Sequence, residues 1–96
     1  IHNQLIMKIK EMNIINIAAN KLRNNGFLAV KADPANRKKY DLIVNSDYKV
    51  IVREVIEPIP KEVDVLVLIS GGRISGFVPS KRGIIIKPLT KIFYGK

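Results

Sequence analysis

Apolar and polar positions follow two different rhythms along this chain of 96 residues. Over residues 5–25, Leu5, Ile9, Met12, Ile15, Ala19 and Leu22 recur at steps of three and four, which predicts an amphipathic helix with one apolar stripe. Ile14, Ile17 and Ala18 widen the stripe, and Lys8, Glu11, Lys21 and Arg23 fall mainly outside it. Asn24-Asn25-Gly26 predicts the stop, because Gly26 can take the left-handed conformation after the last turn. Beyond it the rhythm is that of strands. A short strand is expected over 27–32, broken by Asp33-Pro34-Ala35-Asn36. Residues 40–45 and 49–56 read as the arms of a hairpin with a tight turn at Ser46-Asp47, ended by Pro58 and Pro60, neither of which can donate to a ladder. Residues 63–69 are apolar without interruption, as for a strand buried on both faces. A turn over 70–73 leads to a return arm at 74–78, and 84–86 reads as one more short strand before a basic tail. These elements predict a single α/β domain spanning 1–96, one helix packed on a mixed sheet.

Composition narrows the function classes. The formal charge is +9 and the pI about 10.1, which favours a polyanionic partner, nucleic acid before anionic membrane. The hydrophobic fraction of 47% is ordinary for a globular chain. With no cysteine, disulfides and thiolate zinc sites are excluded, and His2 as the sole histidine excludes a histidine-based triad. No apolar run has the length of a membrane span and no secretory segment opens the sequence, so the expectation is a soluble, intracellular (cytoplasmic) protein without membrane contact. The sequence opens on Ile1 rather than methionine, so a few further N-terminal residues are expected.

Two acids carry the candidate chemistry. Asp41 lies in Tyr40-Asp41-Leu42-Ile43-Val44 and Glu54 in Val50-Ile51-Val52-Arg53-Glu54-Val55-Ile56, on the two arms of the expected hairpin. Carboxylates on neighbouring strands of a basic domain suggest a divalent metal facing a phosphate backbone. Read without that context, they are strand-end acids paired with the chain's many lysines.

The order of helix, strand after a glycine stop, and acid-bearing hairpin resembles the PD-(D/E)XK nuclease superfamily, the restriction-endonuclease-like fold that includes archaeal Holliday junction resolvases. Asn24-Asn25-Gly26-Phe27-Leu28-Ala29-Val30 looks like the family's helix end and first strand. Lys39-Tyr40-Asp41-Leu42-Ile43-Val44 looks like its acid-bearing strand, and Arg53-Glu54-Val55-Ile56 stands where the acid-X-Lys element belongs. The likeness covers about residues 13 to 57, with weaker support to Val78, and the twelve residues between the acids suit resolvase-like members. It implies Asp41 and Glu54 as catalytic metal ligands, the Val55 carbonyl as a further ligand, and Mg²⁺ as cofactor for phosphodiester hydrolysis.

One departure limits this. Ile56 replaces the motif lysine and offers no donor to orient water or stabilise developing charge, a loss worth roughly 3–4 kcal/mol in a transition state. Arg53 is expected on the opposite face of the strand, which leaves Lys49 or Lys61 as candidate replacements. The acid that some members carry on the first helix is absent, with Ile15 and Asn16 in that neighbourhood.

Arg37-Lys38-Lys39 beside Tyr40, and Lys81-Arg82 within Ser80-Lys81-Arg82-Gly83, are the expected nucleic-acid contacts, able to neutralise phosphates without reading sequence. Phe77, Phe93 and Tyr94 are candidate stacking residues, although isolated aromatics in strands more often belong to a core. The expectation is therefore a nucleic-acid-binding domain of nuclease-like fold, DNA favoured over RNA, with weak or absent Mg²⁺-dependent endonuclease activity. Symmetric dimers are common among small nucleases acting on duplex DNA, so the resemblance also implies a homodimer. The alternative is a non-catalytic basic structural or RNA-associated protein.

Overall fold

The computed structural model describes residues 2–94. Helix α1 (His2–Asn24) ends as expected. Gly26 takes φ 91°, its N–H donates to Arg23 O, and the Phe27 N–H donates to Leu22 O, while Phe27 and Leu22 are both buried. That is a Schellman stop with its hydrophobic contact, and it fixes the angle at which the chain leaves the helix.

Six strands follow: β1 (Ala29–Lys31), β2 (Leu42–Val44), β3 (Tyr48–Arg53), β4 (Val65–Ser70), β5 (Arg73–Ser80) and β6 (Gly83–Lys87), then a short helix α2 (Leu89–Phe93). They form one mixed sheet in chain order, antiparallel at every pairing except β3 with β4, which is parallel. A parallel pair needs a crossover, usually a helix. Here residues 54–64, carrying Pro58 and Pro60, cross without one.

Side chains alternate between two layers. On one face Leu42, Val44, Val50, Val52, Val65 and Val67 pack under α1 and α2, with Ala18, Ala19, Leu22, Phe27 and Phe93 above them. On the other, Ile51 and Leu66 are covered by Tyr40 and Val63, with Ile59 packed alongside. Strand β4 is thus buried on both faces at its centre, as its unbroken apolar run predicts.

The helix stripe is narrower than expected. Ala18, Ala19 and Leu22 are buried and Ile14 and Ile15 pack against the core, but Met12 is 56% exposed and Ile17 45%. Ile17 lies about 200° around the helix from Ile15, on the solvent side. Met12 lies in the N-terminal half of α1, which at 23 residues (about 34 Å) is much longer than the six-residue β3 (about 20 Å). The side chains of residues 2–9 and of Glu11 lie outside the described residues, and with them the Leu5 and Ile9 positions of the stripe.

Other boundaries also move. Strand β3 stops at Arg53 rather than at 56, β5 runs two residues past 78, and the expected basic tail contains α2. The hairpin turn has three residues, Asn45, Ser46 and Asp47, between the paired Val44 and Tyr48. Asn45 and Ser46 both take positive φ, 52° and 67°. Gly76 on β5 makes room for α2: a Cβ there would stand 2.5 Å from Ile92 Cδ1 and 2.9 Å from Leu89 Cδ2.

Candidate functional site

Asp41 sits where regular alternation slips. Tyr40 belongs to the crossover-side cluster and Leu42, two residues on, to the helix-side cluster. The Asp41 backbone still serves its neighbours, with its N–H donating to Val50 O (2.9 Å) and its carbonyl accepting from the Ala32 N–H (3.0 Å). Its side chain then takes the place of a ladder carbonyl: Oδ2 accepts from the Val52 N–H at 2.8 Å and from Arg53 Nη1 at 2.9 Å. Arg53 Nε donates to Glu57 Oε1 at 2.9 Å, and Nη1 donates also to Val52 O at 2.8 Å. Burial opposes the charge on Arg53, but the bond to Glu57 and the Asp41 carboxylate more than offset it, and its pKa is raised. The Asp41 side chain is 14% exposed, so this bridge is better shielded from solvent than an ordinary surface pair.

Glu54 has a different partner. Its Oε1 lies 3.9 Å from Lys10 Nζ on α1, and both side chains are well exposed. The two acids are therefore engaged separately, Asp41 with Arg53 and Glu54 with the helix side. The tight two-residue turn expected at Ser46-Asp47 would pair Asn45 with Tyr48 and Asp41 with Val52, setting Asp41 and Glu54 on one face. The observed turn shifts the register by one residue, which reverses every β2 side chain relative to β3. Beyond Arg53 the chain bends, so strand alternation does not relate Glu54 to Ile56, and Val55 and Ile56 are exposed. A magnesium ion at Asp41 Oδ2 would have to displace Arg53. Among the described residues no three acids or histidines gather into a group able to hold a metal.

Of the candidate lysines, Lys49 is the second residue of β3 and places Nζ 5.7 Å from the Tyr40 ring centre, and Lys61 is exposed on the crossover. A second acid supports the other side of β3: Asp64 Oδ2 accepts from the Lys49 N–H at 2.9 Å, and the Asp64 N–H donates to Lys49 O at 2.9 Å.

The two basic clusters do not meet. Strands β1, β3, β4 and β6 run one way and β2 and β5 the other. Arg37, Lys38 and Lys39 link β1 to β2 at the end of the sheet where β3 finishes. Lys81 and Arg82 link β5 to β6 at the opposite end and near the opposite edge. All five are exposed.

A larger asymmetry escaped the reading by motifs. All eight acids lie in residues 1–64, with eleven lysines and arginines, whereas residues 65–96 hold six lysines and arginines and no acid. Among the described residues Arg73, Lys81, Arg82, Lys87 and Lys91 are exposed and none forms an ion pair. Counting charge by segment would have found this wing from sequence alone.

No helix among the described residues is long and apolar enough to cross a membrane. Set against protein-family models, curated proteins and solved structures, the chain has no match in any of the three.

Proposed function

We propose that this protein is a nucleic-acid-binding module that holds phosphate backbones through the acid-free wing formed by β5, β6 and α2, with the Arg37–Lys39 loop as a separate contact. The observation that carries this reading is the segregation of charge, with every acid before residue 65 and, among the described residues, five exposed cations outside any ion pair after it. Such cations release counterions from a polyanion without reading its sequence. The helix, the hairpin and the parallel strand that follows it support a nuclease-like domain as part of the same proposal, and that likeness favours DNA. Asp41 fits a structural role in it, because its acceptor oxygen is already occupied by Val52 and Arg53.

The test is the affinity for labelled duplex DNA, branched DNA and RNA over a series of salt concentrations. A linear fall of log affinity with log salt is expected, with slopes of about 0.9 per phosphate on duplex and about 0.7 on single strands. Absence of binding at low salt would overturn the proposal. Metal-dependent cleavage is assayed in parallel with Mg²⁺ or Mn²⁺ on the parent, Asp41→Ala and Ile56→Lys. Robust cleavage by the parent that disappears in Asp41→Ala would replace the binding module with an enzyme.

A further inference from the structure

Four aromatic rings run in series from the core to the surface. Tyr48 meets Phe93 edge-on with centroids 5.3 Å apart, Phe93 meets Phe27 at 5.1 Å, and Phe27 meets Tyr94 at 5.1 Å with the planes 36° apart. The first three are buried, whereas Tyr94 is 58% exposed. Exposed aromatic side chains ordinarily sample several rotamers, but the Tyr94 hydroxyl donates to Gly26 O at 2.9 Å, at the stop of α1. The ring is thus held with one side on Phe27 and open area remaining to solvent.

Tyr94 also lines a shallow open recess of about 630 Å³, together with Lys87, Pro88, Thr90 and Lys91. The recess lies within the acid-free third of the chain, and neither lysine is in an ion pair. An oriented aromatic surface sharing one recess with two lysines outside any ion pair matches a planar ring that carries negative charge beside it. An unpaired nucleobase between its flanking phosphates has that form. A base inside a duplex does not, because its faces are already covered by its neighbours.

Resting on the nucleic-acid reading above, we infer that Tyr94, Lys87 and Lys91 form a subsite for single-stranded nucleic acid, with one unstacked base on the Tyr94 ring and the adjoining phosphates on the lysines. Tyr94 supplies a face that any base can use, so the subsite reads strandedness rather than sequence. Lys81 and Arg82 precede β6, whereas Lys87 ends it, so the two contacts sit at opposite ends of that strand and are separable.

The experiment measures binding of a ten-residue oligothymidylate, a duplex of equal length and heparin, a polyanion without bases. The proteins are the parent, Tyr94→Leu, Tyr94→Phe and the double variant Lys87→Gln/Lys91→Gln. Tyr94→Leu is expected to lose about 5- to 100-fold in affinity for the oligothymidylate and to leave duplex and heparin binding unchanged. Tyr94→Phe, which keeps the ring but loses the hydroxyl bond that orients it, is expected to lose less single-strand affinity than Tyr94→Leu. The double lysine variant is expected to lower the single-strand salt slope by about 1.4. Equal losses for Tyr94→Leu on all three ligands, or a Tyr94→Phe loss as large as that of Tyr94→Leu, would overturn the subsite and leave the nucleic-acid reading standing. A parent that binds none of the three polyanions would instead remove the reading on which the subsite rests.

Discussion

Around the end of β3, charge is spent on the fold. Asp41 closes the ladder at Val52 and holds Arg53, Arg53 holds Glu57 at the start of the crossover, and Asp64 closes the other side of the strand at Lys49. In the β5–β6–α2 wing the five described cations are exposed and none is in an ion pair. A charged residue in this protein has to be judged by its partners before its type. The Asp41 carboxylate, which reads as a metal ligand in the sequence, has a backbone amide and a guanidinium on the same oxygen. The lysines of the wing carry no motif, and it is their exposure without an acid partner that makes them the residues of the proposed function.

Removing Asp41 tests this contrast most severely. Asp41→Ala leaves the Val52 N–H without an acceptor and takes one partner from Arg53, so a loss of about 2–3 kcal/mol is expected in urea unfolding. The raised pKa of Arg53 means its charge stabilises the fold at any pH below its usual range and stops doing so only in strong alkali. The loss in Asp41→Ala should therefore be similar at pH 6 and pH 9. A variant as stable as the parent would show that Asp41 is free for other chemistry.

Asn45 is the next largest expected effect, and it tests the turn that sets the register. Its N–H donates to Leu28 O, its Oδ1 accepts from the Leu28 N–H, and its Nδ2 donates to Phe93 O, so one turn residue joins β1, the β2–β3 hairpin and the end of α2. It also stands at φ 52°, which asparagine tolerates better than alanine. Asn45→Ala should cost about 1–3 kcal/mol by thermal or chemical unfolding. Asn45→Gly, which relieves the backbone and loses only the side-chain bonds, should cost less.

Much of the architecture was legible from residue order, and its failures have local causes. The helix stop at Gly26, the strand count and the double burial of β4 all follow from apolar spacing and glycine chemistry. Helix α2 was not legible, because five residues after Pro88 cannot display a helical period. The end of β3 was placed three residues late because Val55 and Ile56 read as strand. The Arg53–Glu57 pair instead draws the chain out of the sheet there. The acid pair was misaligned by a single turn residue, and side-chain parity amplifies such an error over a whole strand. No local pattern announces whether a turn at Asn45-Ser46-Asp47 has two residues or three, since both asparagine and serine can enter it.

For the wing, the expected effect on the fold is close to nothing. Lys81→Gln/Arg82→Gln changes two exposed side chains without ion pairs, so its stability should stay within about 0.5 kcal/mol of the parent. The slope of log affinity against log salt on duplex DNA should fall by about 1.8. Neutralising Arg37, Lys38 and Lys39 reports on the opposite end of the sheet, with a decrease of up to about 2.7 if all three face phosphate. An unchanged slope in both variants would mean that these loops are solvated rather than bound.

The smallest expected effect belongs to Glu54, and it returns to the acid pair. Its contact with Lys10 is long and exposed, so Glu54→Gln should change stability by no more than about 0.5 kcal/mol. If Glu54 shares no cation with Asp41, millimolar Mg²⁺ should raise the melting temperature of the parent and of Glu54→Gln by the same small amount. Ligand binding to the native state would otherwise stabilise it in proportion to the logarithm of metal concentration over its dissociation constant. A rise with Mg²⁺ in the parent that vanishes in both Glu54→Gln and Asp41→Asn would mean that the two carboxylates converge once a cation is present. It would also mean that Arg53 yields its place on Asp41, and the distinction between spent and unspent charge would then fail at the residue where it is drawn most firmly.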